Sequence, residues 1–169
     1  SSSGDYYLIF NDINENIRVL NSRNGNLISS IKSDYDEENG KFINFELSAD
    51  EKQVYEFKEK QVKFWDIRTV KLVKSYNLVE NGNEYKFVHI VKPKNEDFFT
   101  GIGYNINEPN QYKVITWSID SFTIQHTFNV NTGDYKIQSL DISPNGLFIC
   151  INSYNGSDYS SQIYNLNEG

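Results

Sequence analysis

Apolar and polar residues alternate in short runs along almost the whole chain, and the runs themselves repeat. Four of them resemble one another: Asn16-Ile17-Arg18-Val19-Leu20-Asn21, Gln61-Val62-Lys63-Phe64-Trp65-Asp66, Lys113-Val114-Ile115-Thr116-Trp117-Ser118 and Ser161-Gln162-Ile163-Tyr164-Asn165-Leu166. Each has apolar side chains at alternate positions and a large residue near its end. Aligning Leu20, Trp65, Trp117 and Tyr164 gives steps of 45, 52 and 47 residues. An alternation of period two predicts a strand with one buried face. After the first three runs, short polar turns (22–26, 68–71 and 120–123) lead into second strands at 27–31, 72–76 and 124–128. Strand, tight turn, strand is a hairpin.

A second unit recurs between these hairpins. Its copies begin Phe42-Ile43-Asn44, Phe87-Val88-His89 and Ile137-Gln138-Ser139, and each is an apolar strand that ends in a turn. Pro144 and Gly146 suit the last of these turns, one by its fixed φ and the other by its access to positive φ. Further strands are predicted at 53–57, 97–101 and 147–152. The repeating unit is therefore four short strands in roughly 45 to 50 residues, the length and strand count of a β-propeller blade. No sustained helical stripe interrupts the pattern. One blade cannot bury both faces of its sheet, so each needs a neighbour.

At this point two motifs resemble a known family. Phe64-Trp65-Asp66-Ile67-Arg68-Thr69 is similar to the strand-ending Trp-Asp signature of WD-repeat proteins, and Ile142-Ser143-Pro144-Asn145-Gly146 to the Ser-Pro-Asp-Gly turn between the first two strands of their blades. The resemblance spans the chain as architecture and marks Trp65, Asp66, Trp117, Ser143, Pro144 and Gly146 as structural signature residues. The other units carry Leu20-Asn21, Trp117-Ser118 and Tyr164-Asn165 in place of Trp-Asp. The Gly-His pair expected before each blade is missing, so the family's His, Ser, Trp, Asp hydrogen-bond network is incomplete here. The resemblance implies an all-β partial propeller over 1–169, with blade pieces at about 5–33, 41–78, 86–130 and 136–169. Asp5 to Phe10 reads as the second strand of the first unit, and the last unit ends after its third strand. The four units then hold three, four, four and three strands, and a propeller of this type usually needs more. Missing sequence or a partner chain is expected to supply the rest.

Composition narrows the class. A 38% hydrophobic and 15% aromatic content, with 12 Tyr and 11 Phe in 169 residues, suits packed sheets and not a disordered acidic tail. The net charge of −7 argues against nonspecific binding to nucleic acid or an anionic membrane and leaves room for a basic partner. Cys150 is the one cysteine, so no intramolecular disulfide forms, and its apolar surroundings predict a buried structural thiol in a reducing, cytoplasmic compartment. Asn155-Gly156-Ser157 matches a glycosylation sequon, a triplet common by chance.

Catalytic chemistry finds little support. His89 and His126 read as structural or surface residues. The chain has no paired cysteines, no metal-spaced histidines and no nucleophile elbow. Gly101-Ile102-Gly103 reads as a strand bend or bulge rather than a phosphate loop, and Asp34, Asp36, Glu37 and Glu38 as a solvated loop. No catalytic residue, metal or cofactor is expected. The inter-blade segments 33–41, 79–86 and 131–136 are more informative. Each pairs a Tyr with an acidic residue, as Asp34-Tyr35-Asp36, Glu84-Tyr85 and Asp134-Tyr135, and the tyrosines are 50 residues apart. On a propeller they would ring the channel mouth, where Tyr offers apolar area with a polar tip; the plainer reading is that they cover the tops of neighbouring blades. The sequence thus points to a non-catalytic protein-interaction scaffold within a larger intracellular complex, taking a basic segment on this face. A propeller appended to a prolyl-oligopeptidase-like hydrolase, with catalysis elsewhere, is the alternative.

Overall fold

Fifteen strands and no helix make up the described part of the chain, residues 3–11, 16–33, 38, 40–94, 96–109 and 111–167 of the computed structural model. The strands are β1 (Tyr6–Asn11), β2 (Asn16–Asn21), β3 (Leu27–Lys32), β4 (Phe42–Leu47), β5 (Gln53–Lys58), β6 (Gln61–Asp66), β7 (Leu72–Asn77), β8 (Val79–Glu80), β9 (Asn83–Val91), β10 (Phe98–Asn105), β11 (Tyr112–Ser118), β12 (Ile124–Val130), β13 (Lys136–Ile142), β14 (Phe148–Tyr154) and β15 (Tyr159–Asn165). They form four antiparallel sheets, β1-β2-β3, β4-β5-β6-β7, β8-β9-β10-β11-β12 and β13-β14-β15. The first two sheets belong to one compact unit, Ser1–Asn77, and the last two to another, Leu78–Gly169. Fourteen strands fall where the alternation predicts them. The exception is β8, with the early start of β9, inside a segment expected to be loop.

The sheets differ in strand count, but their irregularities recur at equivalent residues. Between the last two strands the register shifts immediately before Leu20, before Trp65 and before Trp117, the residues aligned from sequence. Between the first two strands it shifts past Ile43, Val88 and Gln138, the second residue of each copy of the other unit. A bulge bends its strand and sharpens its twist. Repeated bulges therefore give successive sheets one curvature. The shift at Ile102/Gly103 is the bulge that the two glycines announced; a Cβ on Gly103 would lie 2.7 Å from the Lys86 carbonyl oxygen.

The turns recur as well. Asn21, Asp66 and Ser118 each donate their amide to the carbonyl five residues on (Asn26, Lys71, Thr123). The fourth residue past the start of each turn takes positive φ: Gly25 at 71°, Val70 at 55° and Phe122 at 53°. Ser143 and Ser48 open equivalent turns between first and second strands. Each seryl oxygen accepts the amide five residues on at 2.9 Å, and Gly146 (69°) and Glu51 (55°) supply the positive φ. The Ser-Pro-Asn-Gly turn is thus used as its sequence suggests.

Each unit has its own core. In the first, Ile17, Val19 and Ile31 of the β1–β3 sheet pack with Val54 and Ile67, and Phe10 stacks on Phe42 with centroids 3.9 Å apart. In the second, Ile102, Val114 and Val130 of the five-stranded sheet meet Leu140, Ile149, Ile151 and Leu166. Both cores lie between one sheet's face and the opposite face of the next, which is blade-on-blade packing. Cys150 is half-buried rather than buried, because it lies on the other face of its sheet, alternate to Ile149 and Ile151.

The positive-φ positions give a test. A β-branched side chain in the left-handed region carries about 1–2 kcal/mol of strain, and Val70 is more than a third exposed, so its side chain buries little. Val70→Gly is expected to raise stability by about 0.5–1 kcal/mol after the added backbone entropy of glycine. Gly146→Ala is expected to lower it by about 1–3 kcal/mol, since the new Cβ would lie 2.6 Å from the Phe98 ring. Urea midpoints of the two variants check both signs.

Candidate functional site

The signature tryptophans are held in two different ways. Trp65, on β6, donates its indole N–H to Glu56 Oε2 at 2.8 Å. Glu56, on β5, is fully buried; its other oxygen accepts from the Ser33 hydroxyl and lies 3.7 Å from Nζ of buried Lys58. A carboxylate, a lysine and a serine thus gather behind the Trp65 indole. The adjoining Asp66 turns to the surface, where its carboxylate accepts from the Thr69 amide and hydroxyl at 2.7 and 2.8 Å. Those bonds hold its pKa below the usual aspartate value. In the second unit the position equivalent to Glu56 is Gly101, and the Phe87 ring fills the space a side chain would need. Trp117 stacks on Phe99 (5.2 Å, 18°) and meets Phe87 edge-on (5.2 Å, 73°). Thr100 and Thr116 bond side chain to side chain at 2.9 Å across β10 and β11.

The concentration of chemistry lies at one end of the second unit. Antiparallel pairing brings the start of β9, the end of β10, the start of β11 and the end of β12 together, with Asn105 opposite Tyr85, Tyr104 opposite Tyr112 and Tyr112 opposite Val130. The 131–135 link carries this end into the last sheet, where Lys136 faces Tyr154 and Tyr154 faces Tyr159. Gln162 on β15 donates to the Asn131 carbonyl at 3.3 Å. Six tyrosines gather here: Tyr85, Tyr104, Tyr112, Tyr135, Tyr154 and Tyr159. Four of them form two cross-strand pairs at hairpin tips, Tyr104–Tyr112 edge-on at 5.9 Å and Tyr154–Tyr159 stacked at 4.5 Å. Exposed carboxylates at this end are Glu84, Glu108, Asp134 and Asp158; the lysines not paired with Glu80 are Lys86 and Lys136.

Beneath this rim sits an ion pair. Glu80 on β8 is buried and accepts from Lys113 Nζ at 2.7 Å and from the Tyr85 hydroxyl at 2.9 Å. Burial pushes the Glu80 carboxyl up, but hydrogen bonds from Lys113, Tyr85 and Thr127 outweigh it and hold the group below the usual glutamate value. Burial pushes Lys113 down, and its bonds to Glu80 and Tyr85 return it above the ordinary lysine value. The Tyr85 phenol is raised by burial and by the bond to Glu80. Asn81-Gly82, with φ of 50° and 79°, forms the turn that brings β8 back onto β9. Asn-Gly is the usual sequence of a turn with two positive φ values.

Of the residues singled out from sequence, Asp34, Tyr35, Asp36 and Glu37 lie outside the described residues. Tyr85 corrects the expectation of a displayed loop residue: it lies within β9, buried, with its hydroxyl committed to Glu80. Glu84 is exposed on the same strand; Asp134 is exposed and Tyr135 half-buried, both in the link before β13. The tyrosine-bearing end was readable, but Glu80, Lys113 and the two hairpin-tip pairs were missed. Asn81-Gly82 and the tyrosines flanking 105–111 and 155–158 were the signals. His89 and His126 lie on β9 and β12 of one sheet, with β10 and β11 between them. Burial lowers the His89 pKa, against the charge of Asp141 and a hydrogen bond involving the Gln138 backbone. Among the described residues no three His, Cys, Asp or Glu side chains are grouped to hold a metal, and no helix is long and apolar enough to cross a membrane.

Comparison with known proteins defines the class by fold. No family model matches the chain, and no curated relative matches it. Among solved structures it is similar to hydrazine synthase of Kuenenia stuttgartiensis, with a TM-score of 0.69 at 13% identity, covering 96% of this chain and 48% of that one. It is also similar to the dihydro-heme d1 dehydrogenase NirN, solved in complex with DHE, with a TM-score of 0.62 at 8% identity over 96% of this chain and 35% of that one. The chain therefore spans about half and about a third of those two proteins. At such identities the likeness concerns the fold alone, and the fold is a β-propeller of antiparallel blades.

The Glu80–Lys113 pair generates two expectations. Lys113→Met leaves a buried carboxylate without its cation and is expected to lower stability by about 3 kcal/mol, whereas replacing both partners by apolar residues costs much less; urea unfolding of single and double variants separates these cases. The folded Glu80 pKa lies below its unfolded value. Its contribution is therefore present above about pH 4.3 and lost as pH falls through the lower folded value. Glu80→Gln should flatten the stability profile in that acidic window, measured as unfolding free energy against pH.

Proposed function

We propose that this propeller is a non-catalytic interaction module whose tyrosine-lined end in the second unit captures a basic segment of a partner protein inside a larger assembly. The observation that carries this reading is the gathering of five tyrosines that are exposed or half-buried (Tyr104, Tyr112, Tyr135, Tyr154 and Tyr159) with four exposed carboxylates on one end of two adjoining sheets, above an internally neutralised Glu80–Lys113 pair. Tyrosine supplies contact area with few rotatable bonds, and an excess of carboxylate favours encounter with a cationic partner. The Trp65-Asp66 and Ser143–Gly146 motifs support placing the chain near the WD-repeat family, whose members commonly serve as such platforms.

The test is a titration of the chain with a lysine- and arginine-rich peptide and with an acidic peptide of equal length. The basic peptide is expected to bind, with affinity falling as salt rises. Replacing Glu108, Asp134 and Tyr135 by Gln, Asn and Ala should weaken it by roughly tenfold, equivalent to about 1.4 kcal/mol. The unfolding midpoint should stay in place because these side chains are exposed or half-buried. Equal binding of both peptides would reject the reading.

A further inference from the structure

Five of the ten glycines follow an asparagine, as Asn24-Gly25, Asn39-Gly40, Asn81-Gly82, Asn145-Gly146 and Asn155-Gly156. Such a pair can react within itself, one reason that asparagine is thermolabile. The glycine amide nitrogen attacks the asparagine Cγ and the Cγ–Nδ2 bond breaks. Ammonia leaves with the proton of the attacking nitrogen, and a five-membered imide closes. Solvent water then opens the ring at either carbonyl. One opening gives aspartate. The other gives isoaspartate, whose main chain runs through Cγ and is one methylene longer. Glycine favours the attack because no side chain shields its nitrogen. The fold decides which pair reacts, since nitrogen and carboxamide must both be free to meet.

Three of the pairs are held. Gly25 donates its amide to the Asn21 carbonyl and Gly146 to the Ser143 carbonyl, both at 2.8 Å. Asn24 Oδ1 accepts from the Asn26 amide at 3.0 Å, and Asn145 Oδ1 from the Ser143 hydroxyl at 2.7 Å and the Leu147 amide at 3.2 Å. Asn155 Oδ1 accepts from the amides of Ser157 and Asp158 at 3.0 and 2.8 Å and from the Ser157 hydroxyl at 3.3 Å. Asn81-Gly82 differs from all three. Neither the Asn81 carboxamide nor the Gly82 amide has a hydrogen bond among the described residues. Glu80 pairs directly with Asn83, so the two central residues of the turn stand outside the ladder. Both are exposed, and nothing lies within 4 Å of where a Gly82 Cβ would stand. Asn39 lies outside the described residues.

We infer that Asn81 is a site of covalent modification, converting to aspartate and isoaspartate ahead of Asn24, Asn145 and Asn155. The inference does not rest on the proposed interaction role. Its two products differ in consequence. Aspartate keeps the turn, since Asp-Gly takes the same pair of positive φ values. Isoaspartate inserts a methylene into the two-residue turn that brings Val79–Glu80 back onto Asn83–Glu84. That draws Glu80 away from its partners, Lys113 Nζ at 2.7 Å and the Tyr85 hydroxyl at 2.9 Å. A slow change in one exposed side chain thus reaches the buried ion pair of the second unit.

The test ages the full chain in warm, mildly alkaline buffer. Peptide mapping reads each site by the mass gain of amide-to-acid conversion, and an isoaspartate-specific methyltransferase labels the lengthened product. Conversion at Asn81 should run at least about threefold faster than at Asn24, Asn145 or Asn155, the slowing expected where a hydrogen bond must break first. In guanidinium chloride above the unfolding midpoint the four sites should converge on one rate, since glycine follows each. Equal or slower conversion at Asn81 in the folded chain would overturn the inference. So would the same lead persisting in the unfolded chain, because sequence and not structure would then set it. Asn81→Asp should leave the urea midpoint in place, and aged protein enriched in isoaspartate should unfold at lower urea. A drop in the first or none in the second would overturn the consequence assigned to Glu80.

Discussion

Each sheet in this protein has to be covered on both faces, and the recurring bulges are what make the faces fit. A register shift stands immediately ahead of Leu20, Trp65 and Trp117 alike. A second shift, past Ile43, Val88 and Gln138, recurs between the first two strands. Without these paired irregularities, sheets of four short strands would differ in twist from one to the next, and close-packed interdigitation would be lost. The two cores follow from this constraint. In both, the front of one sheet supplies branched aliphatic residues and the back of the next supplies aliphatic and aromatic ones.

Within that shared geometry the chain solves one local problem twice. Behind the aligned tryptophan there is a space that must be filled. In the first unit Glu56 fills it, and a fully buried carboxylate then requires donors, which Trp65, Ser33 and Lys58 provide. In the second unit Gly101 empties the position and Phe87 occupies it, so that Trp117 is held by ring contacts alone among those described. The first solution demands complete pairing, since a buried charge without a partner is costly. The second demands shape, since nothing larger than glycine fits at 101. Both deliver the same fold around different residues: the fold needs the volume and the bulge, and more than one chemistry supplies them.

How much of this was legible in the sequence depends on the range of the interactions involved. Strands and turns were legible because alternation, Pro144-Asn145-Gly146 and the Gly101/Gly103 spacing are local features with local consequences. The β8–β9 hairpin is written just as locally in Asn81-Gly82, within a segment that the blade period assigns to an inter-blade loop. Glu80 and Lys113 are 33 positions apart, and no pattern of period two or four links them. Their pairing depends on Glu80 meeting a residue of β11, which the strand order alone could not give. Burial of Tyr85 follows from the same contact. The tyrosine pairs at the hairpin tips were within reach, since Tyr104 with Tyr112 and Tyr154 with Tyr159 flank short polar segments that strand pairing must close.

A polar row across β13, β14 and β15 bears on how such a protein divides stability from recognition. A face that packs on another sheet gains most from branched aliphatic side chains, which release water and carry no hydrogen-bonding demand. A face that meets a changing or solvated partner gains nothing from them when unoccupied, and exposes an aggregation-prone patch. Ser139, Asn152 and Ser161 satisfy one another and so tolerate water. Ile163 and Phe148, 72% and 45% exposed, lie on the same face of β15 and β14 as Ser161 and Asn152. One face of the last sheet therefore mixes satisfied polar groups with exposed apolar ones, where the sheets before it place Ile17, Val62 and Val114 at the position of Ser161.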